Sequence, residues 1–100
     1  MPPLHVNTMK SFSYVSILIE LSKNKLSGYD LLLNLKKFGF NISPGTLYYQ
    51  LGMLSKDGII IGKKQVRRTL YEMTDKGQKV FKEFKDDWKD ALEYVYQNLK

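Results

Sequence analysis

Apolar residues cluster in segments whose spacing changes along the chain, and those changes mark the elements. From Met9 to Ser22, Phe12, Tyr14, Val15, Ile17, Leu18, Ile19 and Leu21 make a helix that is apolar on more than one face. Such a helix is expected to be covered on two sides, by its own domain and by a partner. Lys23-Asn24-Lys25 ends it. Ser27 opens a second helix, with Asp30 three residues later in a capping-box arrangement. Leu31, Leu32, Leu35 and Phe38 form its expected core stripe, and Gly39 stops it. Phe40-Asn41-Ile42 is a turn, with Ile42 expected to plug the core.

A third helix runs from Pro44 to about Lys56. Ser43 is the N-cap, and Pro44 takes the first helical position, where its missing N–H costs nothing. Leu47, Leu51 and Leu54 give one buried stripe with Tyr48 expected beside it, leaving Thr46, Tyr49, Gln50 and Met53 outward. Asp57-Gly58 turns the chain into the β-branched run Ile59-Ile60-Ile61. Gly62 opens a basic loop, and Arg68 to Met73 returns as a second strand, so a hairpin is predicted. Thr74 and Asp75 then cap a last helix reaching Leu99, about 25 residues and hence ~38 Å long. Phe81, Phe84, Trp88, Ala91 and Val95 repeat along it as a coiled-coil-like seam, widened by Val80, Leu92 and Leu99. So long a stripe on so small a domain predicts a partner helix and a homodimer.

These elements predict a mainly α (α+β) protein: a winged helix-turn-helix with a two-stranded basic wing and a long C-terminal dimerisation helix. Residues 1–8 read as an irregular arm, residues 9–73 as a winged-helix DNA-binding domain, and residues 74–100 as the dimerisation helix. The 100 residues are enough for one domain. With no cysteine there is no disulfide, thiol nucleophile or cysteine-ligated zinc. The single histidine, His5, lies in the Pro-rich start, so nothing suggests an enzyme, a metal or a cofactor. No run approaches the ~20 apolar residues needed to span a bilayer. The start lacks the apolar core of a signal peptide, so the expected location is the cytoplasm.

Charge adds a partner. The net charge is +6, and the whole excess lies in residues 1–73; residues 74–100 are balanced. A basic front with a neutral tail suggests one part facing a polyanion and another facing protein. B-DNA's major groove admits a helix and presents a donor and acceptor code. In a helix-turn-helix the second helix enters that groove. On that helix Gln50 is a candidate for a bidentate contact to adenine, and Thr46 and Tyr49 for phosphates or thymine methyls. Ser43 sits at a helix N-terminus able to hold a phosphate. Lys56 is a further phosphate candidate. Lys63, Lys64, Arg67 and Arg68 lie within six positions on the hairpin. They are expected to neutralise phosphates, or one of the arginines to enter a minor groove. Expected dimer contacts are Phe12 and Val15 on the first helix with Phe81, Phe84, Trp88, Ala91 and Val95 on the last.

The chain resembles the PadR family of winged-helix transcriptional regulators. The matching pieces are Ser27-Gly28-Tyr29-Asp30-Leu31, Ser43-Pro44-Gly45-Thr46-Leu47-Tyr48, Leu54 with Lys56-Asp57-Gly58-Ile59-Ile60, Arg68 with Tyr71, and Met73-Thr74 with Gly77. Their order and spacing cover roughly residues 11 to 81. The resemblance implies a homodimeric regulator, usually a repressor, binding inverted-repeat operators in double-stranded DNA. It is stronger to members with one C-terminal helix, in which the first and last helices make the dimer. Some relatives bind flat aromatic effectors between the last helices through a tryptophan. Trp88 is placed for that role and equally for the seam. The chain departs from the family pattern at Tyr49, Met53 and Met73. The first two lie on the expected reading face and leave room for a non-specific architectural DNA binder or a protein-interaction module.

Overall fold

A computed structural model describes residues 8–99, with side chains from residue 12 onward. Seven elements follow in order: α1 (Thr8–Lys23), β1 (Leu26–Ser27), α2 (Gly28–Lys37), α3 (Pro44–Lys56), β2 (Ile60–Lys64), β3 (Thr69–Met73) and α4 (Asp75–Leu99). Of the expected arm over residues 1–8, Thr8 already belongs to α1. The rest of the arm, with His5, lies outside the described residues. The sheet is antiparallel in the order β1-β3-β2, with Leu26 opposite Tyr71 and Gly62 also opposite Tyr71 on the other side. The hairpin thus gains a third strand. Two residues are too short to carry an alternation pattern, so β1 leaves no signal of its own in the chain.

Both helices of the helix-turn-helix are closed at each end by local chemistry. In the capping box of α2, Ser27 Oγ accepts from the Asp30 N–H at 3.1 Å, and Asp30 Oδ2 accepts from the Ser27 N–H at 3.3 Å. Its C-terminus is a Schellman motif: Gly39 takes φ 85°, and the Phe40 N–H returns to the Leu35 carbonyl at 3.0 Å. The end of α3 repeats the device, with Gly58 at φ 75° and the Ile59 N–H bonded to the Leu54 carbonyl at 2.9 Å. Glycine meets no Cβ penalty at that positive φ.

The core joins Ile17, Leu18 and Leu21 of α1, Leu31 and Leu35 of α2, Leu47, Leu51 and Leu54 of α3, and Ile42, Ile59 and Ile60. Each large apolar side chain fully buried there contributes roughly 1.5–3 kcal/mol. Ile42 plugs the core as expected. Phe38 does not join the stripe of α2; it is exposed. It sits at the C-cap, one residue before the reversal at Gly39, where the helix has run past the core. At the head of α4, Gly77 lies against the chain, where an added Cβ would stand 1.9 Å from the Ile59 carbonyl oxygen. Thr74 caps this helix, its Oγ1 accepting from the Gly77 N–H at 3.0 Å.

The seam of α4 is divided. Trp88 and Ala91 are each 5% exposed within the single chain. Trp88 meets Phe12 of α1 edge-on, with ring centroids 5.0 Å apart. The expectation that these two residues face a partner is therefore corrected: their own chain covers both, with Phe12 of α1 against Trp88. Phe81 packs half-buried on the core, whereas Phe84 and Val95 remain exposed. Among the described residues no helix is long and apolar enough to cross a membrane.

Candidate nucleic-acid interface

The surface of α3 follows from 100° of rotation per residue. Leu47, Leu51 and Leu54 set the inward direction, and Gln50, three residues after Leu47 and four before Leu54, points the same way. Gln50 is 0% exposed, with Nε2 donating to Ser13 Oγ of α1 at 3.0 Å. Its expected role as an adenine reader is corrected: the amide faces the interior, and its polarity alone had suggested the outer face. Tyr48, expected in the core, is 52% exposed for the same reason, standing about 100° from Leu47 and off the stripe.

The outward face of α3 therefore carries Thr46, Tyr48 and Tyr49, with Ser43 at its head and Lys56 in its last turn, all exposed. The Ser43 hydroxyl is engaged in capping, accepting from the Thr46 N–H at 3.1 Å and donating to Thr46 Oγ1 at 2.9 Å. The Tyr48 ring lies over the start of α2. A Cβ on Gly28 would come within 2.7 Å of it, so the Gly28 position keeps the ring in place. Tyr48, like Gln50, stands on the other face of α3 from the one expected, and a helical projection centred on the three leucines is the signal that finds its exposure.

The wing projects as β2, a four-residue tip and β3. The Gln65 N–H closes the tip on the Arg68 carbonyl at 2.7 Å, and Val66 at the tip is 99% exposed. Its four cations are not equivalent. Lys63 pairs across the ladder with Glu72, which also holds Lys25 at 3.1 Å. Hydrogen bonds from Lys63 first, then Lys25, hold the Glu72 carboxyl below its ordinary value of 4.5. Arg68 reaches Asp30, the capping acid of α2, at 3.7 Å. Lys64 and Arg67 form no ion pair among the described residues and point their charge outward. Arg67, Arg68, Tyr29, Tyr48 and Tyr71 border a cleft of about 380 Å³ between the wing and the head of α2, which links the wing to the outer face of α3.

Separately, α1 and α4 border an apolar groove of about 690 Å³ whose lining includes Phe12, Val15, Phe81, Phe84, Trp88 and Leu92. Trp88 Nε1 is buried there without a hydrogen-bond partner among the described residues.

A helix-turn-helix followed by a basic two-stranded wing, on a three-stranded antiparallel sheet, defines the winged-helix class. The chain belongs to the transcriptional regulator PadR-like family, whose model matches residues 17–83. Members of that family are regulators rather than enzymes. A transcriptional regulator of Mycobacterium tuberculosis is 33% identical over 66 residues, which span 62% of this chain and 62% of that protein. The crystal structure of a PadR-like transcriptional regulator from Bacillus cereus is 31% identical, with a TM-score of 0.84 over 92% of this chain and 95% of that one. The Bacillus subtilis PadR structure in complex with operator DNA is 26% identical, with a TM-score of 0.64 over 71% of this chain and 45% of that one.

Proposed function

We propose that this chain is a homodimeric, sequence-specific DNA-binding regulator, acting as a repressor on an inverted-repeat operator. The observation that carries the reading is the continuous surface formed by the outer face of α3 and the wing. Exposed Thr46, Tyr48 and Tyr49 are assigned to the major groove, and Lys64 and Arg67, which form no ion pair among the described residues, to phosphates or a minor groove. Ser43 and Lys56 flank the helix at its two ends. Lys63 and Arg68 reach DNA only in competition with Glu72 and Asp30. The operator complex of the Bacillus subtilis relative supports the same assignment.

The dimer is built on what α1 and α4 leave uncovered: Phe84, Leu92 and Val95 on α4 and Ile19 on α1 are all exposed. Phe12, Val15 and Phe81 line the groove beside them. A flat aromatic effector fits that groove, with Trp88 among its lining residues. Titration with planar aromatic ligands is expected to change Trp88 fluorescence; a flat response to chemically varied ligands excludes the effector role.

Selection of bound sites from random duplexes tests the whole reading. The expected product is a two-fold symmetric sequence with half-sites about 34 Å apart. Asymmetric or sequence-independent recovery would reject specific dimeric recognition in favour of an architectural binder. No duplex binding even at low salt would favour a protein partner.

A further inference from the structure

Two tyrosines, each seated on a glycine, border the cleft between the wing and the head of α2. From α3, Tyr48 lays the end of its ring on Gly28, the buried first residue of α2. A Cβ there would stand 2.7 Å from Tyr48 Cε1 and 2.8 Å from both Cζ and the hydroxyl oxygen. From β3, Tyr71 lies on Gly62 of β2, where a Cβ would stand 3.0 Å from Tyr71 Cε1. Both rings line the same cleft of about 380 Å³, together with Arg67 and Arg68. Burial first and the charge of Tyr48 second push the Tyr71 hydroxyl above its ordinary value of 10.0, as follows for two neighbouring phenols. Residues directly opposite in an antiparallel ladder share a face, so Gly62, Tyr71, Lys64 and Thr69 lie on one side of the wing. Lys63 and Glu72 lie on the other. The two rings therefore stand between α3 and the wing face that carries Lys64, which forms no ion pair among the described residues.

We propose that Gly28 and Tyr48 are a positioning pair for DNA binding. Gly28 seats the Tyr48 ring, and the seated ring, with Tyr71, sets the angle between α3 and the wing, so that Lys64 and Arg67 meet phosphates while α3 lies in its groove. Gly28 acts without touching DNA. Loss of a base reader relaxes preference at one position, whereas loss of a positioning pair weakens all sequences alike, because phosphate contacts carry no sequence information. The consequence for DNA rests on the DNA-binding reading above; the seating of the ring does not.

The full chain and its variants Gly28→Ala, Tyr48→Ala, Tyr48→Phe and the double variant Gly28→Ala with Tyr48→Ala are titrated with a random-sequence duplex at several salt concentrations. A methyl group on Gly28 meets the far end of a side chain free to turn outward, so Gly28→Ala is expected to keep the wild-type Tm. It should weaken duplex binding about tenfold, the weight of one contact to a charged group, and lower the salt slope by ~1. Tyr48→Ala should do the same, Tyr48→Phe should bind as wild type, and the double variant should lose no more than Tyr48→Ala alone. Wild-type affinity in Gly28→Ala, or losses that multiply in the double variant, overturns the pair. A Tyr48→Ala loss that appears only at one base pair of a selected site does so too. If Gly28→Ala does not fold, Tyr48→Ala decides by its slope, since that side chain is half exposed. A wild-type chain that binds no duplex at any salt removes the DNA reading and the consequence for DNA with it. The seating is then still read from proton contacts between the Tyr48 ring and the Gly28 α protons.

Discussion

Gln50 and Tyr48 are two residues apart and exchange the places that their side-chain chemistry suggests. Polarity points Gln50 outward and an aromatic ring points Tyr48 inward, but helical geometry assigns both the other way. Replacement of Gln50 by Ala is therefore expected to act on stability. Loss of the Ser13 hydrogen bond and of buried packing should lower the unfolding free energy by about 1–3 kcal/mol, read as a shifted urea midpoint with base preference at the operator unchanged. A relaxed base preference at unchanged stability would return Gln50 to the reading face. Gly77 makes a second residue-scale test. A methyl group there meets the Ile59 carbonyl oxygen, which cannot move without disturbing the Thr74 cap. Gly77→Ala is expected to cost about 1–3 kcal/mol, seen as a lowered Tm. An unchanged Tm would mean that α4 is not seated on the turn before β2.

At the scale of elements, the wing was legible as a basic hairpin, but the division of its charge was not. Lys63 and Glu72 are nine positions apart, and only the β2–β3 register, Lys63 opposite Leu70 and Ile61 opposite Glu72, brings them together. Arg68 meets Asp30 because β1 places the head of α2 beside β3. Arg67→Ala is accordingly expected to reduce the salt slope of DNA binding by ~1 and to weaken all sequences alike, with a smaller effect from Lys63→Ala. Equal slopes for the two variants would reject the division. Glu72 also carries a pH signature. Its pKa is lowered in the fold, so its ion pairs stabilise above the ordinary carboxylate value of 4.5, and that contribution is lost as pH falls through the depressed value. Unfolding followed by circular dichroism on acidification is expected to show a shallower loss of stability below pH 4.5 in Glu72→Gln than in wild type. Identical acid profiles would show that the two lysines do not hold that carboxylate in solution.

For the whole molecule the decisive question is how the stripe of α4 is shared. The spacing of Phe81, Phe84, Trp88, Ala91 and Val95 describes a seam without saying what fills it. Trp88 and Ala91 are covered by their own chain, while Leu92, Val95 and Leu99 remain exposed toward the free end of α4. If the proposed dimer forms through this end, Val95→Lys is expected to convert it to a monomer in sedimentation velocity, with the far-ultraviolet spectrum of the folded chain retained. A variant that still sediments as a dimer would move the interface elsewhere. Placement of α1, α2, α3, the hairpin and α4 follows from the sequence, because caps, Schellman glycines and apolar spacing are local and act within a few residues. The family followed as well, since its motifs are contiguous blocks. Tertiary structure alone decided which cations of the wing are tied back, that Gln50 turns toward Ser13, that β1 completes the sheet, and that α1 claims part of the seam of α4. Each of these joins residues far apart in the chain, and such pairings depend on how the elements pack against one another rather than on any one element's composition.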